Sequence, residues 1–270
     1  TSFEYDAAGN QSKLIDPNAG TSIYTYNAFG ELLTQQDARG NTYQMTYDCL
    51  GRIQTKNLSS GGNDVTTYTY NNTAGTNGFG QLQSVARSNG TSQAFAYDNL
   101  GRILSKTETI DGNSFTFAYT YNASTGMLET YEYPSGYKLK YLYDSRGNQH
   151  EVRTADAANT LLWKANAENQ RGQMTDYSLG NGVQTFNMFD QYGYLTQTNS
   201  VSFFKDIEHP IQNFSYSFDP ATGNLLSRTD FERSLTETFT YDNTNERLAS
   251  YAHAGVSTQL FYQQNGNISK

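Results

Sequence analysis

The chain has 270 residues, a net charge of −8 and a sequence pI near 4.9, and its basic residues form no cluster, so the electrostatic footprint of a nucleic-acid binder is absent. Hydrophobic residues make up 36% of it, below the usual ~45–50%, yet it holds 22 Tyr and 15 Phe, so the apolar surface available for burial is mostly aromatic. The lone Cys49 excludes an intrachain disulfide, and no apolar run is long enough to cross a membrane as a helix.

A composition rich in aromatics and glycine and poor in proline favours strands and turns over helices. From the N-terminus, the first unit reads Phe3-Glu4-Tyr5-Asp6-Ala7-Ala8-Gly9. The phrase returns as Tyr26-Asn27 with Gly30, as Tyr47-Asp48 with Gly51 and Arg52, and as Tyr97-Asp98 with Gly101 and Arg102. It returns again as Tyr121-Asn122 with Gly126, Tyr143-Asp144 with Gly147, Phe218-Asp219 with Gly223, and Tyr241-Asp242. Tyr70, a degenerate Ala165, Phe189 and Tyr262 complete a series of twelve, phased 21 residues apart at the closest (Tyr5 to Tyr26) and 29 at the widest (Phe189 to Phe218).

Each unit reads aromatic-x-aromatic-Asx-x-x-Gly-x-Leu/Ile. Aromatics at i and i+2 share one face of a strand. The Asx oxygen accepts from a backbone N–H two residues on, and glycine closes the turn with a positive φ. A second set of turn signals, such as Asp37-Ala38-Arg39-Gly40 and Ser88-Asn89-Gly90, ends each unit. The spacing therefore predicts a strand, a turn, a strand and a turn per unit, about 24 short antiparallel strands in one array over residues 1–270.

The Asx position holds Asp in seven units, Asn in four (Asn27, Asn71, Asn122, Asn166) and Gln263 in one. Asparagine retains the short acceptor without the charge that acid–base or metal chemistry needs. The position is thus read as a demand for turn geometry, and Asp98→Asn is expected to be nearly silent.

Two spacings are long. One holds a swollen turn, Asn71 to Gly78; the other includes Phe203 to Pro210, read as a loop, with the ionisable run Asp206-Ile207-Glu208-His209 inside it. Loops on a regular scaffold are where binding tends to sit. The Ala-rich stretch 152–170 is the only helix-tempting segment, but the phase predicts two strands around a turn at Asp156–Asn159, with Trp163 in the first aromatic position of its unit.

The phrases Tyr47-Asp48-Cys49-Leu50-Gly51-Arg52-Ile53 and Tyr97-Asp98-Asn99-Leu100-Gly101-Arg102-Ile103 resemble the YD repeat of the RHS family, and the resemblance covers essentially the whole chain. That family includes bacterial polymorphic and contact-dependent toxins, the B and C components of insecticidal toxin complexes, and animal teneurins. The resemblance implies an all-β ribbon curling into part of a hollow spiral shell, in a secreted or cell-surface protein. In the toxin members the shell encloses a C-terminal effector, so the implied partners are adjoining repeats and such an effector. The autoproteolytic Asp-Pro-x-Gly-Arg-Phe motif of toxin members is absent; Asp219-Pro220-Ala221-Thr222-Gly223-Asn224 resembles it only superficially. The segment is expected to be wall without cargo.

No catalytic, metal-binding or cofactor motif stands out, and His150, His209 and His253 lack ligand-spaced neighbours. A structural shell segment is the expected function, not an enzyme. The alternative is a surface binding module that stacks glycans on aromatic faces such as Tyr68/Tyr70 and Tyr119/Tyr121, or meets a partner protein through its loops.

Overall fold

Every regular element among the described residues is a β-strand. In the computed structural model residues 1–59, 64–204 and 207–269 are described, and the chain divides into two compact units, Thr1–Tyr137 and Lys138–Lys270.

Unit 1 contains β1 (Ser2–Tyr5), β2 (Gln11–Asp16), β3 (Gly20–Tyr26), β4 (Leu32–Gln36), β5 (Thr42–Tyr47), β6 (Ile53–Leu58), β7 (Asp64–Tyr70), β8 (Leu82–Arg87), β9 (Ser92–Tyr97), β10 (Ile103–Ile110), β11 (Asn113–Tyr121) and β12 (Leu128–Glu132). Each strand pairs antiparallel with the next. Unit 2 repeats the plan with β13 (Lys138–Tyr143), β14 (Gln149–Thr154), β15 (Leu161–Glu168), β16 (Met174–Leu179), β17 (Val183–Phe189), β18 (Leu195–Phe204), β19 (Ile207–Phe218), β20 (Leu225–Asp230), β21 (Leu235–Tyr241), β22 (Leu248–His253) and β23 (Val256–Gln259). The short turns leave the chain no route except back along the strand just made.

The two faces of the ribbon differ. On β5, Tyr43, Met45 and Tyr47 are buried or half-buried while Gln44 and Thr46 are exposed. The exposed face is tied by hydroxyl pairs across strands, Thr25–Thr34 at 2.6 Å, Thr46–Thr55 at 2.7 Å and Thr120–Thr130 at 2.7 Å. Threonine suits this role because its β-branch favours the strand and its hydroxyl reaches the partner opposite.

Three sequence readings change here. The long spacing before Phe218 is no loop: β18 and β19 are the longest strands, and Phe203, Pro210 and their neighbours form the end of that hairpin, with Val201 opposite Pro210. Pro210 is accommodated where the register slips between Ser200 and Val201. Asp206, part of the ionisable run, lies outside the described residues. The eighth unit is also misphased by three residues: its turn runs from Asn169 to Gly172, with Glu168 where the aromatic was sought, and Asn166 instead donates to Asp176 Oδ1 and Ser178 Oγ. Trp163 therefore lies outside the aromatic pair of its unit and packs between Val152 and Leu179 on the flanking strands. The stretch 152–170 does form two strands around Asp156–Asn159, and Asn159 takes φ +46° there.

Candidate functional site

The turn after β9 shows how one unit is closed. The Gly101 N–H donates to the Asp98 carbonyl at 3.1 Å, and the Asp98 N–H donates to the Arg102 carbonyl at 2.9 Å. Asp98 Oδ1 accepts from the N–H groups of Leu100 and Arg102, both at 2.9 Å, and Oδ2 accepts from Arg102 Nε at 2.7 Å. Gly101 sits at φ +77°, in the left-handed region that side chains avoid. The register slips by one residue beside the turn, as it also does between Thr25 and Tyr26 and between Thr46 and Tyr47. Asp6/Gly9, Asn27/Gly30, Asp48/Gly51 and Asp144/Gly147 follow the same plan. Asn122/Gly126 and Asp219/Gly223 form a turn one residue longer, in which the glycine N–H reaches the Asx carbonyl at 2.8 Å. In the Asp242 turn Glu246 takes the glycine place at φ +55°.

The second Asx oxygen or nitrogen is matched to the residue after the glycine. Asp48 and Asp98 face Arg52 and Arg102 as ion pairs at 2.6 and 2.7 Å. Asp6 accepts from the Asn10 amide at 3.1 Å, whereas Asn27 donates to Glu31 at 2.6 Å and Asn169 donates to Gln173 at 2.9 Å. In these five turns the carboxylate is used where a donor faces it and asparagine where an acceptor does; Asn122, followed by Met127, departs from the pattern. The Arg102 contact gives Asp98 a use for its charge that the reading of the position as turn geometry alone did not include. The Arg52 guanidinium, then its backbone N–H, hold the Asp48 carboxyl below its usual range despite burial. For Asp98, burial pushes upward and the Arg102 backbone and guanidinium more than offset it.

The same residue after the glycine reaches into the next turn. Arg52 Nη1 donates to the Gly80 carbonyl at 2.9 Å, Gln81 Nε2 to Gly101 at 3.0 Å, Arg102 Nη1 to Gly126 at 3.0 Å and Gln173 Nε2 to Gly193 at 2.8 Å. Arg52 and Arg102 also lie over the next unit's Tyr70 and Tyr121, each 4.3 Å from the ring centre, and in unit 2 Arg247 lies 5.5 Å from the ring centre of Tyr262. Where the arginine is replaced by Tyr194, its ring stacks on Phe218 at 5.0 Å. Guanidinium groups thus lie over one face of each of Tyr70, Tyr121 and Tyr262.

The tyrosine hydroxyls form a second tie that sequence reasoning missed. Tyr26 donates to the Gln11 carbonyl at 2.9 Å, Tyr47 to Leu32 at 2.9 Å, Tyr97 to Leu82 at 2.6 Å and Tyr121 to Ile103 at 2.8 Å. In unit 2, Tyr241 donates to Leu225 at 3.0 Å and Tyr262 to Leu248 at 2.8 Å. The acceptor is the first or near-first residue of the previous unit's return strand, so each hydroxyl spans one repeat. The available signal was the preference for Tyr over Phe at this second aromatic position, next to Phe3, Met45 and Phe95 at the first.

Among the described residues no group of three or more His, Cys, Asp or Glu side chains is placed to share a metal ion. The arrangement is a joint, repeated from turn to turn. A family model described as the teneurin YD-shell matches residues 85–269, well over half of the chain. The chain belongs to the teneurin YD-shell family. No curated protein sequence matches it. Among solved structures, the YD-shell segment superposes on the Tc holotoxin pore of Photorhabdus luminescens with a TM-score of 0.80 at 18% identity, over 98% of this chain and 15% of that one. A TcdB2–TccC3–Cdc42 structure gives 0.81 at 18% identity, over 98% and 16%, and a TcdB2–TccC3 structure gives 0.76 at 19% identity, over 92% and 14%. At these identities the likeness is one of fold, and the YD-shell segment spans less than a fifth of those chains. Family and fold make it a shell-forming repeat segment.

Proposed function

We propose that this segment is part of the wall of an encapsulating shell, in a secreted or cell-surface protein, and that residues 1–270 work as one repeat array enclosing an effector that the whole protein carries C-terminal to the repeats. The observation that carries this reading is exposed surface. The chain presents 17213 Å² to solvent, against about 12,000 Å² for a compact protein of its mass. Among the described residues only Met45, Ala165 and Val201 are buried hydrophobics. Strands with so few buried hydrophobics are suited to a thin wall that divides an inside from an outside, and the joint supplies stability that a thick core would supply elsewhere. The Tc structures, matched in fold, support the same reading. No reaction is assigned to it.

Limited proteolysis of the whole parent protein tests this. The effector is expected to resist cleavage until the repeats are cut. An effector that is degraded as fast within the parent as when expressed alone overturns the proposal.

A further inference from the structure

One edge of unit 1 carries a row of apolar tips. The residue just before the turn glycine is Ala8, Phe29, Leu50, Phe79 and Leu100 in successive turns, and the row ends at Thr125 in the sixth. Phe29 is 89% exposed, Leu50 72%, Phe79 60% and Leu100 71%. The backbone beneath them is held: the N–H groups of Phe29, Leu50 and Leu100 each donate to their Asx Oδ1 at 2.9 Å. The side chains are thus presented on fixed tips and contribute little to the fold of the unit. On the opposite edge of the same unit the residues before the turn glycines are Ala19, Arg39, Asn89, Asp111 and Ser135 among the described residues, none of them a large apolar side chain, although Ile110 and Tyr137 beside those turns are 48% and 46% exposed.

Consecutive tips are two strands apart, about 9.6 Å. A partner must repeat at that period to meet them all. A helix with an apolar residue every seven positions rises about 10.5 Å and drifts out of step by about 1 Å per contact. A second rim of the same kind has no mismatch. The four side chains together expose on the order of 500 Å², so two facing rims would bury on the order of 1,000 Å², the lower bound of a specific interface. At the Leu50 and Leu100 tips the charges are closed as pairs within their own turns, Asp48–Arg52 and Asp98–Arg102, whereas Asp6 and Glu31 leave the Ala8 and Phe29 end acidic. In unit 2 the equivalent tips include Arg146 and Arg171, whose like charges would repel a facing copy.

We propose that this rim is an interface for a second copy of the chain, the two rows interdigitating antiparallel about a two-fold axis that relates Leu50 of each to Phe79 of the other. The proposal stands apart from the shell reading and does not depend on it.

Light scattering and sedimentation of the 270-residue chain, from micromolar to millimolar concentration, test it. The expected mass is twice the 30.2 kDa of one chain. Leu50→Glu and Leu100→Glu are each expected to weaken association by about tenfold or more, and the double variant to run as a single chain, with melting temperatures matching the wild type at dilutions where both are single chains. Arg39→Glu, on the opposite edge, is expected to leave the dimer intact. A wild-type chain that stays single at every concentration overturns the proposal, as does a dimer that survives the double variant. A single chain that floats with phosphatidylcholine vesicles also overturns it, by assigning the tips to lipid.

Discussion

Arg102 lies between two turns: its Nε holds Asp98 Oδ2 at 2.7 Å within its own unit, and its Nη1 holds the Gly126 carbonyl at 3.0 Å in the next. The contact gives the carboxylate at Asp98 a partner that asparagine at the same place would lack. It also sets the first expected outcome. Asp98→Asn turns an acceptor into a donor that faces a guanidinium, and should lower the melting temperature by roughly 2–4 °C. Adding Arg102→Gln should restore part of that, because the pair then matches Asn169–Gln173, where Gln173 still reaches Gly193. Thermal melts of the two single variants and the double would show it. A double variant no more stable than Asp98→Asn alone would mean the pairing is incidental.

Tyr97→Phe keeps the ring and removes the 2.6 Å hydrogen bond to the Leu82 carbonyl. The expected loss is about 1 kcal/mol, the net worth of one hydrogen bond in a partly buried setting. Urea denaturation is the measurement, with Phe95→Tyr as the reverse control at the first aromatic position. A midpoint unchanged by Tyr97→Phe would assign the tie to water instead.

Two glycines separate backbone strain from crowding. Gly90 and Gly101 have φ +90° and +77°, and a Cβ at Gly90 meets nothing within 4 Å while one at Gly101 falls 2.5 Å from Gln81 Nε2. Alanine at either should cost roughly 1–2 kcal/mol in left-handed strain. Gly101→Ala should cost more, since Gln81 must leave the Gly101 carbonyl it binds at 3.0 Å. In a Gln81→Ala background the excess should vanish. An excess that persists there would place the cost in the turn itself.

The pH range of stability has two ends with different owners. Asp6, Asp48, Asp98, Asp144 and Asp242 are all lowered from 3.8 in the folded chain. Their contribution is present above the unfolded value, about 3.9, and is lost as pH falls through the folded values. Burial raises Tyr26, Tyr47, Tyr97, Tyr121 and Tyr143 above 10.0. Their contribution is full below pH 10 and is lost as pH rises through the folded values. Urea midpoints should therefore be level between about pH 5 and 9 and fall on both sides. A midpoint that holds constant as pH falls below about 3 would take the turn carboxylates out of the account.

Hairpin phase was legible in the sequence because turn chemistry is local. Asp98 accepts from residues two and four positions on, and Gly101 needs its φ whatever lies around it. The eighth unit escaped because Glu168 fills the aromatic slot, although Asn169-Gln170-Arg171-Gly172 keeps the turn phrase intact. The run Phe203 to Pro210 was misread because lengthening a hairpin and inserting a loop look alike in spacing. What only the tertiary structure decided is the traffic between units. Tyr97 finds Leu82 fifteen residues back, and Arg102 finds Gly126 twenty-four residues on. Both reaches depend on strands that lie side by side after the chain has reversed, and on how far the twist carries one turn past the next. Sequence by itself determined the units and their hand-over points, since those energies arise within a few residues. Contacts across neighbouring hairpins are set by distance through space, which a one-dimensional pattern does not carry.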